Sequence, residues 1–472
     1  MHIEQIYTGC LAQGTYYIVS NGEAAVIDPL REIKPYLDRA AKDNVKIKYV
    51  FETHFHADFV SGHIDLAKAT GAKIIYGPNA NPTFDATIAK DQEVLILGDI
   101  TFEVLHTPGH TMESTCYLLK DETGKDHAVF TGDTLFIGDV GRPDLAQKAA
   151  HMTQEDLAVI LFHSLRDKIM TLADDVIVYP AHGAGSACGK NMSDETVSTI
   201  GEQKKFNYAL RATMTEEAFV KEVTDGLLPP PAYFPINVAM NKEGYDSIND
   251  VMQRGMQALS VDAFEESANL SGALMIDTRR AEVFHQGFIP NSINIGLNGQ
   301  FAPWVGALIP DVKQAILIIT DEGKEEETVM RMARVGYDQV IGYLKGGFQS
   351  WKQSGKEFET VQRITPEEFE IDYKSKNPLV IDVRRPAEYE AGHLKNAVNI
   401  PLDFINDHLS EFPKDKTFYV HCAGGFRSMI AASMLKARGW NNFIEVEGGY
   451  SAISRSGIPK SEFLSSATEH IK

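Results

Sequence analysis

The strongest constraint on the fold of this 472-residue chain is an internal repeat in its C-terminal half. The segment LMIDTRRAEVFHQGFIPNSINI begins at Leu274, and LVIDVRRPAEYEAGHLKNAVNI begins at Leu379. Each copy continues with a second apolar run, a helical stretch and a Gly-Gly turn. Strands that alternate with helices at this spacing are typical of a parallel sheet in an α/β domain. The repeat therefore predicts two copies of one α/β domain.

The N-terminal half has a different organisation. Polar residues directly follow its apolar strand patterns, as in VKIKYVFETHFHADF, ITFEVLHTPGHT and HAVFTGDTLF. The tract DGLLPPPAYFP contains three consecutive prolines, which a regular helix does not accommodate, so we interpret it as a connection to the repeats. The sequence predicts a multidomain α/β protein with domains at residues 1–240, 241–360 and 361–472.

Composition and charge exclude several classes of function. The formal net charge of −20 disfavours nucleic-acid binding, which needs clustered Lys and Arg. No apolar run is long enough to span a membrane, and the first residues lack the basic and apolar regions of a signal peptide. We expect a cytoplasmic protein with no nucleic-acid or membrane partner, and a homo-oligomer from the general tendency of cytosolic enzymes. The four scattered cysteines form no CxxC pair, so neither disulfides nor a thiolate zinc site are indicated.

Polar side chains that can bind metal follow several apolar strand patterns of the N-terminal half. They are His54, His56, Asp58, His110, Asp133 and His182. A single histidine at a strand end is more often structural than a ligand, but the recurrence of this pattern favours convergence on one site. Imidazole and carboxylate groups together suit zinc, iron or manganese.

The order of these motifs along the chain resembles that of the metallo-β-lactamase superfold, an αβ/βα sandwich. The matching positions are Asp28, His54, His56, Asp58, His110, Asp133 and His182. The resemblance covers roughly the first 240 residues. Two-metal hydrolases of this superfold carry a histidine where this chain has Phe59, whose side chain has no lone pair. We therefore expect a second metal to bind weakly or not at all.

Two histidines and one carboxylate with open positions suit non-haem Fe(II), and within the superfold the chain is similar to the persulfide dioxygenase family. The resemblance implies one Fe(II) per chain, O2 as co-substrate and a small thiol persulfide as substrate. The metal ligands that it implies are His54, His110 and Asp133. The residues that it places around the pocket, where they bind water or orient ligands, are His56, Asp58 and His182.

Two basic residues are candidate substrate contacts. Arg142 stands where persulfide dioxygenases place an arginine near the thiol substrate, and a guanidinium suits carboxylate or phosphate. An equal alternative is that Arg142 pairs with Asp139 or Asp144 to shape its loop. The GAGSACGK loop after His182 is less bulky than in glutathione-using members. That departure favours a larger or phosphate-bearing thiol such as coenzyme A, with Lys190 as a contact.

The second repeat copy contains the segment VHCAGGFRSMIAA, in which Cys422 follows a strand and Arg427 begins a helix. A thiolate there would face backbone N–H groups and a helix N-terminus, both of which stabilise negative charge. Gly424 and Gly425 let the loop curl around an anion. The segment resembles the CxxGxR active-site loop of rhodaneses. The resemblance implies that Cys422 carries sulfane sulfur with Arg427 in the catalytic loop.

The first copy has the segment ITDEGKEEETV at this place and contains no cysteine. We expect Asp321 near the cysteine position, in a shorter loop. A carboxylate cannot carry sulfane sulfur, and the acidic run repels anionic substrates. The first copy is therefore expected to act as a scaffold.

The whole chain resembles bacterial fusions of persulfide dioxygenase with rhodanese. The resemblance implies oxidation of low-molecular-weight thiol persulfides to sulfite, coupled through Cys422 to the formation or use of thiosulfate, in sulfide detoxification. One alternative is a zinc thioester hydrolase of the glyoxalase II kind, against which Phe59 and the fused sulfurtransferase argue. Another is a sulfur relay with a structural metal, against which the open ligand set argues.

Overall fold

The computed structural model describes residues 1–461, which divide into two compact units. The first comprises residues 1–250 and 332–336, and the second comprises residues 251–331 and those from 337 onward. Apart from residues 332–336 of the first copy, both repeat copies lie in the second unit, and the two predicted domain boundaries, near residues 240 and 360, stay predictions. Residues 462–472 of the third predicted domain lie outside the described residues.

The first unit contains two mixed sheets with strand orders β1-β2-β3-β4-β5-β6 and β12-β11-β10-β9-β8-β7. The strands of the first sheet are β1 (His2–Thr8), β2 (Gln13–Ser20), β3 (Glu23–Ile27), β4 (Lys46–Phe51), β5 (Lys73–Tyr76) and β6 (Thr87–Ile88). Those of the second are β7 (Val94–Leu97), β8 (Ile100–His106), β9 (Thr115–Lys120), β10 (Asp126–Gly132), β11 (Ile177–Pro180) and β12 (Ser198–Thr199). The helices are α1 (Lys34–Asp43), α2 (His63–Thr70), α3 (Gln147–Ala150), α4 (Gln154–Ser164), α5 (Ile200–Phe206), α6 (Glu216–Thr224) and α7 (Phe234–Glu243).

Side-chain alternation along the strands builds a layered core in this unit. Tyr16 and Ile18 of β2 pack in a buried cluster with Phe102 of β8 and Phe130 of β10, which joins the two sheets. Tyr17, between them in sequence, packs in a separate cluster on the opposite face of its sheet. Because successive strand residues point to opposite faces, each sheet can bury one face against the other sheet and one against helices. The predicted αβ/βα sandwich is confirmed.

The two repeat copies form sheets of the same topology in the second unit. Their strand orders are β13-β17-β16-β14-β15 and β18-β22-β21-β19-β20. The first copy contains β13 (Ala258–Leu259), β14 (Leu274–Asp277), β15 (Ile293–Asn294), β16 (Ile316–Ile319) and β17 (Val340–Leu344). The second contains β18 (Arg363–Ile364), β19 (Leu379–Asp382), β20 (Val398–Asn399), β21 (Phe418–His421) and β22 (Phe443–Val446). All pairings in both sheets are parallel, as the repeat predicts.

Helices cover these sheets and complete the element order. They are α8 (Ile248–Gly255), α9 (Val261–Ser271), α10 (Ala281–Phe284), α11 (Phe301–Leu308), α12 (Glu325–Ala333), α13 (Gly347–Gln353), α14 (Pro366–Lys376), α15 (Pro386–Glu390), α16 (Phe426–Ala437) and α17 (Gly449–Ile453). Among the described residues, no helix combines the length and the apolar character that a bilayer crossing requires.

Strand register corrects one detail of the comparison between the copies. Asp277 pairs with Ile319 in the first copy, and Asp382 pairs with His421 in the second. Thr320 therefore occupies the position of Cys422, and Asp321 lies one residue later. The segment between strand and helix spans 320–324 in the first copy and 422–425 in the second. The expectation of a shorter loop was wrong, because α12 begins one residue later relative to its strand than α16 does.

Candidate functional site

Strand ends of the two sheets of the first unit bring the predicted histidines and aspartates together. His54 lies just beyond β4, His110 beyond β8, Asp133 directly after β10 and His182 beyond β11. All four side chains are buried. The structure groups His54, His110 and Asp133 so that one ligand atom from each lies within 4.8 Å of the others. This is the set that the sequence resemblance names.

The geometry of this cluster fits a divalent metal. His54 Nε2 lies 3.8 Å and His110 Nε2 lies 3.5 Å from Asp133 Oδ2. Within residues 1–461, Asp133 Oδ2 has no hydrogen-bond partner. A buried carboxylate oxygen without a donor is costly unless an ion or water satisfies it. Two imidazoles and one carboxylate together form a donor set that suits non-haem iron.

Hydrogen bonds outside the cluster fix the orientation of both imidazoles. Thr53 Oγ1 donates its single proton to Asp28 Oδ2 at 2.9 Å and must therefore accept from His54 Nδ1, 3.0 Å away. His110 Nδ1 lies 2.9 Å from the carbonyl oxygen of Arg142, which can only accept. Both rings consequently carry their proton on Nδ1, and the lone pair of each Nε2 is left for a metal.

The protonation states agree with this assignment. Burial lowers the pKa of His54 well below its ordinary value, and the neighbouring His56 adds to the effect. Burial alone would raise the pKa of Asp133, but the surrounding histidines, led by His182, hold it below its usual range. Neutral imidazole and ionised carboxylate are the states that metal binding requires.

His182 lies between two carboxylates rather than in the metal cluster. Its Nδ1 lies 2.7 Å from Asp133 Oδ1, and its Nε2 lies 2.8 Å from Asp58 Oδ2. Burial would lower the pKa of His182, but the two carboxylates raise it well above the ordinary value. The imidazolium thus anchors one oxygen of Asp133 and leaves the other facing His54 and His110.

His56 and Phe59 pack beside the cluster. His56 Nε2 lies 3.1 Å from Asp28 Oδ1, and its ring centroid lies 4.3 Å from that of Phe59. Phe59 is fully buried, and its ring centroid lies 6.3 Å from that of His182. An aromatic ring with no lone pair therefore fills space beside the residues that would hold a second metal.

Sequence reasoning missed Cys188, a buried thiol in the loop after His182. One ligand atom from each of Cys188, Asp58 and His182 lies within 4.8 Å of the others. Burial and the carboxylates of Asp58 and Asp133 raise the pKa of the Cys188 thiol well above its ordinary value. A protonated thiol beside an already paired Asp58 and His182 is a poor metal ligand. The sequence feature that could have indicated this thiol is a cysteine six residues after His182, preceded in its loop only by glycine, alanine and serine.

The two predicted substrate-binding cations are engaged by protein groups. Arg142 forms a two-point ion pair with Asp144, with N···O distances of 2.6 and 2.7 Å, and also donates to the carbonyls of Ala187 and Leu228. The loop-shaping alternative accounts for these contacts. Lys190 Nζ donates to the carbonyls of Glu222 and Asp225 at the end of α6, each at 2.6 Å. A lysine at this position stabilises the helix C-terminus.

Cys422 lies at the base of a cavity of about 350 Å³ in the second unit. Gly425 N–H donates to Cys422 Sγ at 3.1 Å, and Gly425 has a φ of 102°, which favours glycine. Gly424 and Arg427 line the cavity, as the loop resemblance implies. Arg427 itself pairs with Glu388 through N···O distances of 2.5 and 2.7 Å.

The cysteine-free copy also contributes to this cavity. Gln300 and Trp304, at the start of α11, line it together with Arg385 of the second copy. Sequence reasoning missed these residues, because a stretch such as NGQFAPW carries no recognisable motif. The first copy therefore supplies part of the wall around Cys422 in addition to its expected scaffold role.

Comparison with known proteins assigns both halves of the chain to families. The Metallo-beta-lactamase superfamily model matches residues 8–182, and the Rhodanese-like domain model matches residues 260–354 and 365–456. Over 221 residues the chain is 31% identical to human mitochondrial persulfide dioxygenase ETHE1, covering 46% of this chain and 78% of that protein. Over 217 residues it is 28% identical to a probable hydroxyacylglutathione hydrolase of Schizosaccharomyces pombe, covering 41% and 80% respectively.

A solved structure extends the similarity beyond the N-terminal half. The crystal structure of a metallo-beta-lactamase from Staphylococcus aureus covers 73% of this chain and 98% of its own, with 30% identity and a TM-score of 0.65. The predicted fold class and the predicted succession of one metallo-beta-lactamase domain and two rhodanese-like domains are confirmed.

We predict that His110→Ala and Asp133→Ala each abolish metal binding, because each removes one of three protein ligands. His56→Ala should keep more metal, since loss of a residue beyond the ligands typically costs about 10 to 100-fold in affinity. Metal content per chain after purification without oxygen measures both effects. Full metal content in Asp133→Ala would rule out the ligand set.

A second prediction tests the chain of hydrogen bonds from Asp28 to His54. Thr53→Val removes the hydroxyl that accepts from His54 Nδ1, so metal affinity should fall by about 10 to 100-fold. Thr53→Ser keeps the hydroxyl and is the matched control, for which affinity near that of the unmodified protein is expected. Competition with a chelator measures the affinity, and equal affinities for the Val and Ser variants would contradict the proposed orientation of His54.

Proposed function

Because this chain belongs to the metallo-beta-lactamase superfamily and continues into two rhodanese-like domains, we propose that it oxidises thiol persulfides and carries sulfane sulfur on Cys422. The proposal includes one Fe(II) per chain, held by His54, His110 and Asp133, with O2 as co-substrate. The observation that carries it is the presence, in one chain, of an open two-histidine, one-carboxylate cluster and a cysteine loop suited to a thiolate. The proposed setting is sulfide detoxification in the cytoplasm.

The proposed oxidation converts RSSH, O2 and water into RSH, sulfite and two protons. When bound, Fe(II) supplies open positions and the one-electron chemistry that O2 needs to react with sulfur. The protein holds His54 and His110 with their Nε2 lone pairs inward, through Thr53 and the Arg142 carbonyl. His182 fixes Asp133 Oδ1 and keeps that carboxylate ionised. These residues orient the ligands and exclude the protonated forms that would release the metal.

The proposed sulfur transfer takes place at Cys422. Its thiolate attacks the outer sulfur of a persulfide, the S–S bond breaks, and the thiol RSH leaves as its thiolate. The resulting persulfide on Cys422 passes its outer sulfur to sulfite, which gives thiosulfate and returns the Cys422 thiolate. The Gly425 N–H stabilises negative charge on sulfur. Arg385, whose side chain is half exposed, lines the cavity and can contact a sulfur oxyanion, whereas Arg427 is held by Glu388. The transfer runs in either direction.

The identity of the persulfide-carrying thiol belongs to this proposal. Arg142 and Lys190 already bind protein groups, so neither offers a free cation for the phosphates of coenzyme A. The small residues of the GAGSACGK loop still favour a bulkier thiol than glutathione. Oxygen uptake compared between glutathione persulfide and coenzyme A persulfide distinguishes the two carriers.

Thioester hydrolysis is the competing function, because hydroxyacylglutathione hydrolases are also among the similar proteins. That reaction would use metal-bound hydroxide at a two-metal site. Here Phe59 offers no ligand, and Asp58 and His182 are paired with each other. We therefore favour persulfide oxidation.

We predict that Cys422→Ser separates the two activities. The serine hydroxyl is not ionised near neutral pH and cannot carry sulfane sulfur, whereas the metal ligands are unchanged. Oxygen uptake with a small persulfide should survive while the product changes from thiosulfate to sulfite, as product analysis would measure. His110→Ala is the converse variant and should lose oxygen uptake but keep sulfur transfer from thiosulfate. An unchanged thiosulfate yield in Cys422→Ser would leave the cysteine without its proposed role.

A separate prediction concerns metal number. Phe59→His should raise the affinity for a second metal, because the new imidazole joins Asp58 and His182. Calorimetric titration with metal measures the affinity for the second metal. Weak thioester hydrolysis should appear in the same variant. Phe59→Leu is the control, which removes the ring without adding a ligand and should bind no additional metal. Equal second-metal affinity in the two variants would contradict the role assigned to Phe59.

A further inference from the structure

Glu445 is a buried carboxylate close to Cys422 that the sulfur-transfer scheme above does not use. It lies on β22 with no exposed surface, and its two oxygens have different partners. Oε1 accepts from Ser428 Oγ at 2.6 Å, and Oε2 accepts from Arg363 Nε at 2.7 Å. Burying a charged pair costs desolvation free energy that the pairing often fails to recover. A purely stabilising role is therefore a weak explanation for this carboxylate.

Ser428 connects Glu445 to the cysteine. Its Oγ lies 3.4 Å from Cys422 Sγ and 2.6 Å from Glu445 Oε1. A hydroxyl has one proton, so it cannot donate to both neighbours at once. If Glu445 is ionised, Ser428 donates to the carboxylate and accepts from the Cys422 thiol. If Glu445 is protonated, Ser428 accepts from the carboxyl and donates to a Cys422 thiolate. The row from sulfur to carboxylate therefore carries two protons, and shifting both moves one net proton between Cys422 and Glu445.

The cysteine-free copy lacks this arrangement at the same positions. In the sheet of the cysteine-containing copy, Glu445 pairs with Val420 and with Arg363. In the sheet of the cysteine-free copy, the equivalent residue is Tyr343, which pairs with Ile318 and with Ala258. The same strand topology thus forms without a buried carboxylate or its arginine. Glu445 and Arg363 accompany the cysteine, and the fold itself does not require them.

Burial places the titration of Glu445 in the neutral range. Burial raises the pKa of Glu445 to about 7, against the opposing effect of Arg363, and the carboxylate of Glu447 adds to the rise. A further titratable group near Arg363 and Glu447 is His285 of the first copy, whose pKa burial lowers, so it is neutral near pH 7. A carboxyl that titrates near neutral pH is suited to exchange a proton with a thiol.

We propose that Glu445 is the proton acceptor for Cys422 and acts through Ser428. In this step the S–H bond of Cys422 breaks, Ser428 Oγ takes that proton, and Ser428 passes its own proton to Glu445 Oε1. No electrons are transferred, and the total charge of the pair stays at −1. The thiolate, held by the Gly425 N–H, then attacks the sulfane sulfur. The proton returns by the same route once the cysteine has passed its sulfur on.

The inference rests on the proposed role of Cys422 as sulfur carrier, so the test measures the reactivity of the Cys422 thiol and not sulfur transfer. The rate of Cys422 alkylation by iodoacetamide is followed by peptide mass spectrometry in the full chain between pH 5.5 and about 9.5, a range chosen to bracket an ordinary thiol pKa near 8.5. In the unmodified protein the rate should rise through about pH 7, because the ionised Glu445 accepts the proton through Ser428 as the Cys422 sulfur attacks the reagent. In Glu445→Gln the rise should move to about pH 8.5, the range of an unassisted thiol.

At pH 7 the Glu445→Gln rate should therefore be lower by about tenfold or more, with convergence on the unmodified protein above about pH 9. Ser428→Ala should show the same shift, and the double variant should be no slower than either single one, because the two residues act as a unit. Glu447→Gln removes a nearby charge outside the row and is the matched control. Because Glu447 adds to the pKa of Glu445, the rise should move slightly below pH 7 in this variant, not towards pH 8.5.

Arg363→Met combined with Glu445→Gln removes both buried charges and keeps the test valid if the single variant does not fold. A loss that is equal at every pH, or a Glu445→Gln profile that matches the unmodified protein, overturns the inference. Neither outcome depends on sulfur transfer. An unchanged thiosulfate yield in Cys422→Ser would instead overturn the proposed function, whatever the alkylation profiles show.

Discussion

The candidate metal centre depends on the different partners of the two oxygens of Asp133. His182 holds Oδ1 at 2.7 Å, and Oδ2 faces His54 and His110 without a hydrogen-bond donor from residues 1–461. Asp58 keeps His182 charged, so the Asp133 carboxylate stays ionised, with Oδ1 held by His182 and Oδ2 facing the other two histidines. The strand ends thereby bring three ligand atoms together in an arrangement that suits one cation. Phe59 limits the extension of that site to a second metal.

Polar groups held in place by the fold also surround Cys422. Cys422 directly follows strand β21, and the N–H of Gly425 donates to its sulfur. The buried side chains of Ser428 and Glu445, on neighbouring elements, control where protons reside. In both sites the protein contributes fixed dipoles and hydrogen bonds around the proposed reactive atom, which is a metal in one site and a sulfur in the other. The copy without cysteine keeps the strand topology and contributes Gln300 and Trp304 to the cavity wall. Duplication has thus left one copy that carries the sulfur site and another that helps to enclose it.

The sequence was sufficient for the duplicated α/β domain and for the convergence of the strand-end histidines and aspartates, because these follow from periodicity and from residues at strand ends. The αβ/βα sandwich and the choice of His54, His110 and Asp133 among those residues came from the family resemblance. It was insufficient where a role depends on tertiary proximity. Glu445 stands in an ordinary strand, FIEV, and only the register of β22 brings it towards Ser428. Cys188 acquires meaning only because its loop folds back on Asp58 and His182. The position equivalent to Cys422 in the first copy, Thr320, required the observed strand pairing.

The most direct measurement of the central claim is metal analysis of the unmodified protein purified without oxygen. One iron per chain is expected, because His54, His110 and Asp133 offer their ligand atoms to one metal and Phe59 offers none to a second. An electron paramagnetic resonance signal of the nitric oxide adduct would identify that iron as Fe(II) with an open position. Two tightly bound zinc ions per chain would contradict the account and support a thioester hydrolase instead.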